Sequence, residues 1–166
     1  MYNNYFQLFD IAIGFAVDKH LLKKKYYQLS KQYHPDYYES NSNISETENL
    51  HLSSKVNEGY ILLQNEYATI GYILQLQGII TVDEKFVLPN DFLMKMMELN
   101  ETLTANDIAL LNQWQSTIKQ PIEHLLTLHT IDGLSQNDWQ QLKVYYYKEK
   151  YIQRLINRVK GIAVEL

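Results

Sequence analysis

The scarcity of chain breakers constrains this sequence more than any other feature. Six glycines and three prolines punctuate 166 residues. Long stretches can therefore hold the helical apolar rhythm, about 3.6 residues per turn, without interruption. An all-α fold is the expectation. With 46% hydrophobic and 20% charged residues, the chain has material for a packed core and too little charge for a solvated tail. Its length admits one ordinary domain or two small ones.

Apolar spacing and capping residues divide the chain. The apolar segment YFQLFDIAI, residues 5–13, is enough for one or two helical turns. Asp18 is the expected N-cap of a helix reaching about Tyr33. On it Leu22, Tyr26, Leu29 and Tyr33 recur at +4, +3 and +4 as one buried stripe. At about 100° per residue, Lys23, Lys24 and Lys31 project from the opposite side and Lys25 from the flank. Residues 37–48 are polar and read as a loop, in which Ser45 and Glu48 have the spacing of a capping box. The helix that follows turns Leu52, Val56, Tyr60 and Leu63 inward, and helical pattern continues to about Gln77. Antiparallel pairing of these two helices places His34-Pro35-Asp36 at an exposed hairpin tip. Pro35 has no backbone donor and a fixed φ, so the tripeptide is a rigid helix exit displaying two polar side chains.

Gly78 ends that pattern, and GIITVDEKFVLPND, residues 78–91, reads as a partly extended linker. Pro89 should stop it and Asn90 or Asp91 cap the next helix. Three helices are expected, at about 91–102, 105–130 and 136–163, with a kink or break at Pro121. Gly133 marks the turn before Ser135 and Asp138 open the last one. The expected domains are 1–77 and 79–166. On the helix from Asp91, Phe92, Met96, Leu99 and Leu103 form a stripe sufficient to bury it. Leu93, Met94 and Met97 lie off that stripe, beside Glu98 and Glu101. Such a surplus suits an adaptable, methionine-rich partner surface, or else a helix that its bundle covers on two sides.

Several function classes are disfavoured. The sequence has no cysteine, which removes disulfides, thiolate metal sites and a cysteine nucleophile. His124 and His129 are five apart rather than the four that aligns two ligands on a helix, and no H-E-x-x-H, glycine-rich phosphate loop or G-x-S-x-G elbow is present. The remaining histidines read as structural or solvent-facing, and the carboxylates as mostly capping or solvated. No catalytic residue, cofactor or metal is expected. No apolar run approaches a membrane span of roughly 18 residues, and the first residues have no basic n-region or long apolar stretch. A cytoplasmic protein is the expectation. The net charge of −4 argues against bulk nucleic-acid binding, and the cations of the last helix, spread around it, read as a solvated face. Five of the six lysines in residues 1–78 fall at positions 19–31, just before His34. That basic helix suits an acidic partner surface or simply solvent.

The tripeptide and its surroundings resemble the J-domain family. YYQLSKQYHPD, residues 26–36, is similar to the second J-domain helix and its loop. VNEGYILL, residues 56–63, is similar to the third, and NYFQLF, residues 4–9, to the short opening helix. YILQLQG at 72–78 and DFLMKMMELNETL at 91–103 narrow the resemblance to the HscB type, J-domain co-chaperones of iron–sulfur cluster assembly. The resemblance implies an N-terminal J-domain, a helical hairpin with an HPD loop, followed by a C-terminal three-helix bundle. It implies stimulation of the ATPase of a DnaK/HscA-type chaperone and delivery of the scaffold protein IscU, with the ATP chemistry on the partner. His34, Pro35, Asp36, Lys23, Lys24, Lys25 and Lys31 would then meet the chaperone. Leu93, Met94, Met97, Glu98, Glu101 and the aromatic Tyr151 would meet the scaffold. Tyr27 and Gln28 stand where many J-domains carry basic residues. A J-domain protein for another client and a non-catalytic helical adaptor are the remaining readings.

Overall fold

The structure, a computed structural model, describes residues 2–34, 45–104 and 107–161, and all regular elements among them are helical. The chain forms two compact units. One is Met1–Ile73 with Thr127–Asp132, the other Leu74–Leu126 with Gly133–Leu166.

In the first unit α1 (Tyr5–Leu8) is a single turn capped by Asn4, whose side chain accepts the Gln7 N–H at 2.8 Å. Its Phe6 and Leu8, with the following Phe9, are buried. Gly59 makes room for that turn, because a Cβ there would lie 2.6 Å from the Tyr5 ring. Helix α2 (Lys19–Gln32) begins at Asp18, whose carboxylate accepts the N–H groups of His20 and Leu21. Helix α3 (Glu46–Gln64) opens with the Ser45–Glu48 capping box.

Helices α2 and α3 run antiparallel. The Asn49 side-chain amide donates to the Tyr33 carbonyl at 3.1 Å and the Tyr26 hydroxyl to Asn57 at 3.0 Å. At the other end Lys19 donates to the Leu63 carbonyl at 2.6 Å. Tyr26 also stacks on Tyr60 with ring centroids 4.0 Å apart. Between the helices Leu22, Val56 and Leu63 are essentially inaccessible. Each such side chain contributes about 1.5–3 kcal/mol by burial.

Helical pattern continues to Leu76, close to the expected Gln77, but in two helices. The chain breaks at Asn65, whose backbone is extended (φ −97, ψ 119). The Asn65 side chain accepts the Ala68 N–H at 2.9 Å, so it starts α4 (Glu66–Leu76) rather than continuing α3. Asparagine competes with helical backbone bonding in this way.

The second unit holds α5 (Asn90–Thr102), α6 (Ile108–Lys119), a 3-10 turn (Gln120–Ile122), α7 (Glu123–Leu126) and α8 (Gln136–Val159). Phe92 and Met96 of α5, Leu111 of α6, and Ile152, Leu155 and Ile156 of α8 share one core. The Ser135–Asp138 capping box opens α8.

Three boundaries differ from expectation. Helix α5 begins at Asn90 with Pro89 as its N-cap, and no side chain caps it. The Pro89 carbonyl accepts the Leu93 N–H at 3.0 Å, and its missing donor is no loss at a helix start. The helix expected through residue 130 breaks around Pro121 and ends at Leu126. Residues 127–132 instead lie against 13–16 within the first unit. The Ala16 N–H donates to the Leu128 carbonyl and the Ile131 N–H to the Ile13 carbonyl, both at 3.0 Å. The His129 ring Nδ1 donates to the Ala16 carbonyl at 2.8 Å. Gly14 admits this approach, since a Cβ there would lie 2.2 Å from the His129 carbonyl oxygen. Helix α8 stops at Val159, short of 163, and Gly161 adopts φ +68, a conformation that suits a residue without Cβ.

The linker is an ordered strap over α8. Lys143 donates to the Ile79 carbonyl at 2.9 Å and pairs with Glu84, while Phe86 stacks on Tyr147 at 4.5 Å.

Candidate protein-interaction sites

The α2–α3 pairing fixes where α2 ends. Tyr33, its C-cap, is buried and its carbonyl is held by Asn49, so His34 leaves the hairpin at an exposed position. Pro35 and Asp36 lie outside the described residues. Along α2, Lys23, Lys24 and Lys31 are exposed on the side away from buried Leu22. Lys25 differs from them. Its ammonium sits 2.7 Å from the Asp10 carboxylate, and this hydrogen bond, then the charge, holds the Asp10 carboxyl below the usual range. Its charge is largely answered within the molecule, leaving the basic surface to the other three. The Lys23 ammonium lies 6.0 Å from the centre of the exposed Tyr27 ring.

On α5 two contacts orient the helix. Arg158 of α8 donates to Asn100, and Lys95 lies over the ring of Trp114 of α6. The neighbours therefore cover two flanks, and the arc between them faces outward. Met94 is 71% exposed and Met97 54%. Glu98 and Glu101 are also exposed, and Leu93 is half-buried. The bundle does not cover this helix on a second side. Tyr151 of α8, half-buried, meets Phe92 edge-on with centroids 6.2 Å apart.

The cations of the C-terminal helix do not form one uniform solvated face. Lys143 is held by Glu84 and the Ile79 carbonyl, Lys148 lies over Phe92, and Arg158 bonds to Asn100. Glu149 departs from the mostly capping or solvated carboxylates and is only 5% exposed. Its Oε1 accepts the side-chain amides of Gln115 and Gln153, and its Oε2 has no partner. Gln115 of α6 meets it there, which no spacing rule on α8 announces. Among the described residues no group of three or more His, Asp or Glu could hold a metal ion, and no helix is long and apolar enough to cross a membrane.

Comparison with known proteins agrees with this geometry. The family described as the HSCB C-terminal oligomerisation domain matches residues 88–160. A co-chaperone protein HscB homolog of Vibrio cholerae is 30% identical over 98% of this chain and 98% of its own length. One from Chromobacterium violaceum is 36% identical over 60% of this chain and 58% of its own. Among solved structures, the chaperone HscB from Vibrio cholerae matches with a TM-score of 0.64 at 27% identity, covering 95% of this chain and 96% of that one. The human co-chaperone protein HscB shares the fold, with a TM-score of 0.77 at 24% identity over 96% of this chain and 81% of its own.

Proposed function

The chain belongs to the HscB family of co-chaperones, and from that premise we propose that it works between two proteins in the cytoplasm. Residues 1–77, as the J-domain, stimulate the ATPase of a DnaK/HscA-type chaperone. The bundle within 79–166 binds an iron–sulfur scaffold protein of the IscU type and delivers it there. The chain itself is not an enzyme, because the ATP chemistry stays on the chaperone.

The observation that carries this reading is the ending of α2. A carbonyl locked by Asn49 sends the chain out at an exposed His34, with three exposed lysines along the same helix. The lysines steer an acidic ATPase surface toward the hairpin. His34, Pro35 and Asp36 then contact it in one orientation. Stimulation requires that the docked hairpin bind the hydrolysis-competent state of the ATPase better than the other state. Leu93, Met94 and Met97 supply the scaffold with deformable apolar contact, Tyr151 a rigid aromatic edge, and Glu98 and Glu101 two charges.

The test is Asp36→Asn, assayed for ATPase stimulation with the cell's own DnaK/HscA-type chaperone. Stimulation is expected to vanish while the helical circular dichroism and scaffold binding stay intact. Full stimulation by the variant would overturn the assignment.

A further inference from the structure

Beside Tyr151 the second unit carries a groove of about 310 Å³ between the 84–88 strap and α8. Three cations border it, Lys85, Lys150 and Arg154, together with the rings of Phe86, Tyr147 and Tyr151. Glu84 also reaches the groove but is committed to Lys143 and the Tyr147 hydroxyl. None of the three cations meets a carboxylate among the described residues. The groove is thus a positively charged recess with an aromatic wall.

Its position gives it meaning. Tyr151 forms part of its wall and also touches Phe92, next to Leu93. The groove thus shares Tyr151 with the proposed scaffold-binding set, whose other members, Leu93, Met94, Met97, Glu98 and Glu101, lie on α5. The groove side of that set is cationic and the exposed side of α5 is apolar and anionic.

Resting on the proposed client role, we propose that this groove is the second half of the client surface. It receives an acidic segment of the scaffold protein, while α5 receives that protein's apolar and basic residues. The charge polarity sets the direction in which the client lies across the bundle. A small anion is a poorer occupant. All three cations are exposed, and exposed charges give weak, screened attraction unless a larger contact anchors the ligand. A single-stranded nucleic acid fits worse still. One face of Phe86 is taken by Tyr147, and the Lys143 ammonium lies 5.8 Å from its centre. That leaves little ring surface for base stacking, and Glu98 and Glu101 would repel a polyanion.

The experiment uses the full chain and purified IscU-type scaffold from the same cell, titrated by calorimetry at two salt concentrations. Lys150→Glu with Arg154→Glu is expected to weaken binding about tenfold at low salt and to flatten its salt dependence, because two exposed attractions become repulsions. The melting temperature should not move. In the wild-type complex, carbodiimide should couple Lys85 or Lys150 to client carboxylates. Unchanged affinity in this variant, with Met94→Ala/Met97→Ala still weakening binding, overturns the groove and leaves the client role standing. If neither variant alters affinity, the client role falls and the groove assignment with it. Competition by a single-stranded oligonucleotide for the same cations would reassign the groove to nucleic acid.

Discussion

The outward sides of α2 and α5 make an instructive pair. Both belong to helices whose opposite side packs into a core, through Leu22 in one case and through Phe92 and Met96 in the other. The outer side of α2 displays Lys23, Lys24 and Lys31, that of α5 Met94 and Met97 between carboxylates. Exposed lysines cost the monomer almost nothing and act over a Debye length, about 8–10 Å at physiological salt. Exposed methionines attract nothing at a distance and gain only when a partner removes them from water, at roughly 25 cal/mol per Å². Under the proposed function, the first surface serves a fast, reversible encounter and the second a holding contact.

Experiments can press on that contrast. The largest effect should come from the inner side of α2. Leu22→Ala removes a side chain with no accessible surface, and such core truncations cost about 2–5 kcal/mol. Urea unfolding measures it, and a loss under about 1 kcal/mol would mean that Leu22 does not anchor the lysine face. On α5 the outer substitutions should do the reverse. Met94→Ala with Met97→Ala should leave stability within about 0.5 kcal/mol per site, yet weaken scaffold binding by about 1–3 kcal/mol. Equal losses of stability and affinity would erase the distinction between packing and binding faces.

The smallest effect concerns the strap. The Lys143 hydrogen bond and charge hold the Glu84 carboxyl below its ordinary value. A carboxyl lowered on folding stabilises the fold above its unfolded pKa, about 4.3, and that contribution disappears as pH falls through the folded value. Wild type should therefore melt slightly above Glu84→Gln at pH 7, and the two curves should converge as pH falls through the lowered folded value. No gap at pH 7 would mean that the Glu84 charge does not help to hold the strap, and a gap that persists in acid would mean that its contribution is not ionic.

Much of this organisation was legible in advance because it is local. Asp18, Ser45 and Ser135 cap their helices through partners two or three residues away. The Leu22–Tyr33 and Phe92–Leu103 stripes need only helical periodicity. The surplus on α5 was visible too, though one helix alone left open whether a neighbour covers it. What escaped depended on distant partners. Gly14 and His129 are 115 positions apart, and nothing in either stretch announces the other. Glu149 looked like a surface residue until α6 brought Gln115 to it. The cations of α8 looked equivalent until the strap engaged Lys143 and α5 engaged Lys148 and Arg158, leaving Lys150 and Arg154 at the groove.

By itself, then, the sequence determined the helical class, the principal caps and which side of each amphipathic helix seeks a core, since propensity, capping and periodicity act within a few residues. The tertiary structure alone decided which charges remain unanswered. An ion pair or a carbonyl contact depends on through-space distance between elements, and helical spacing carries no record of that distance.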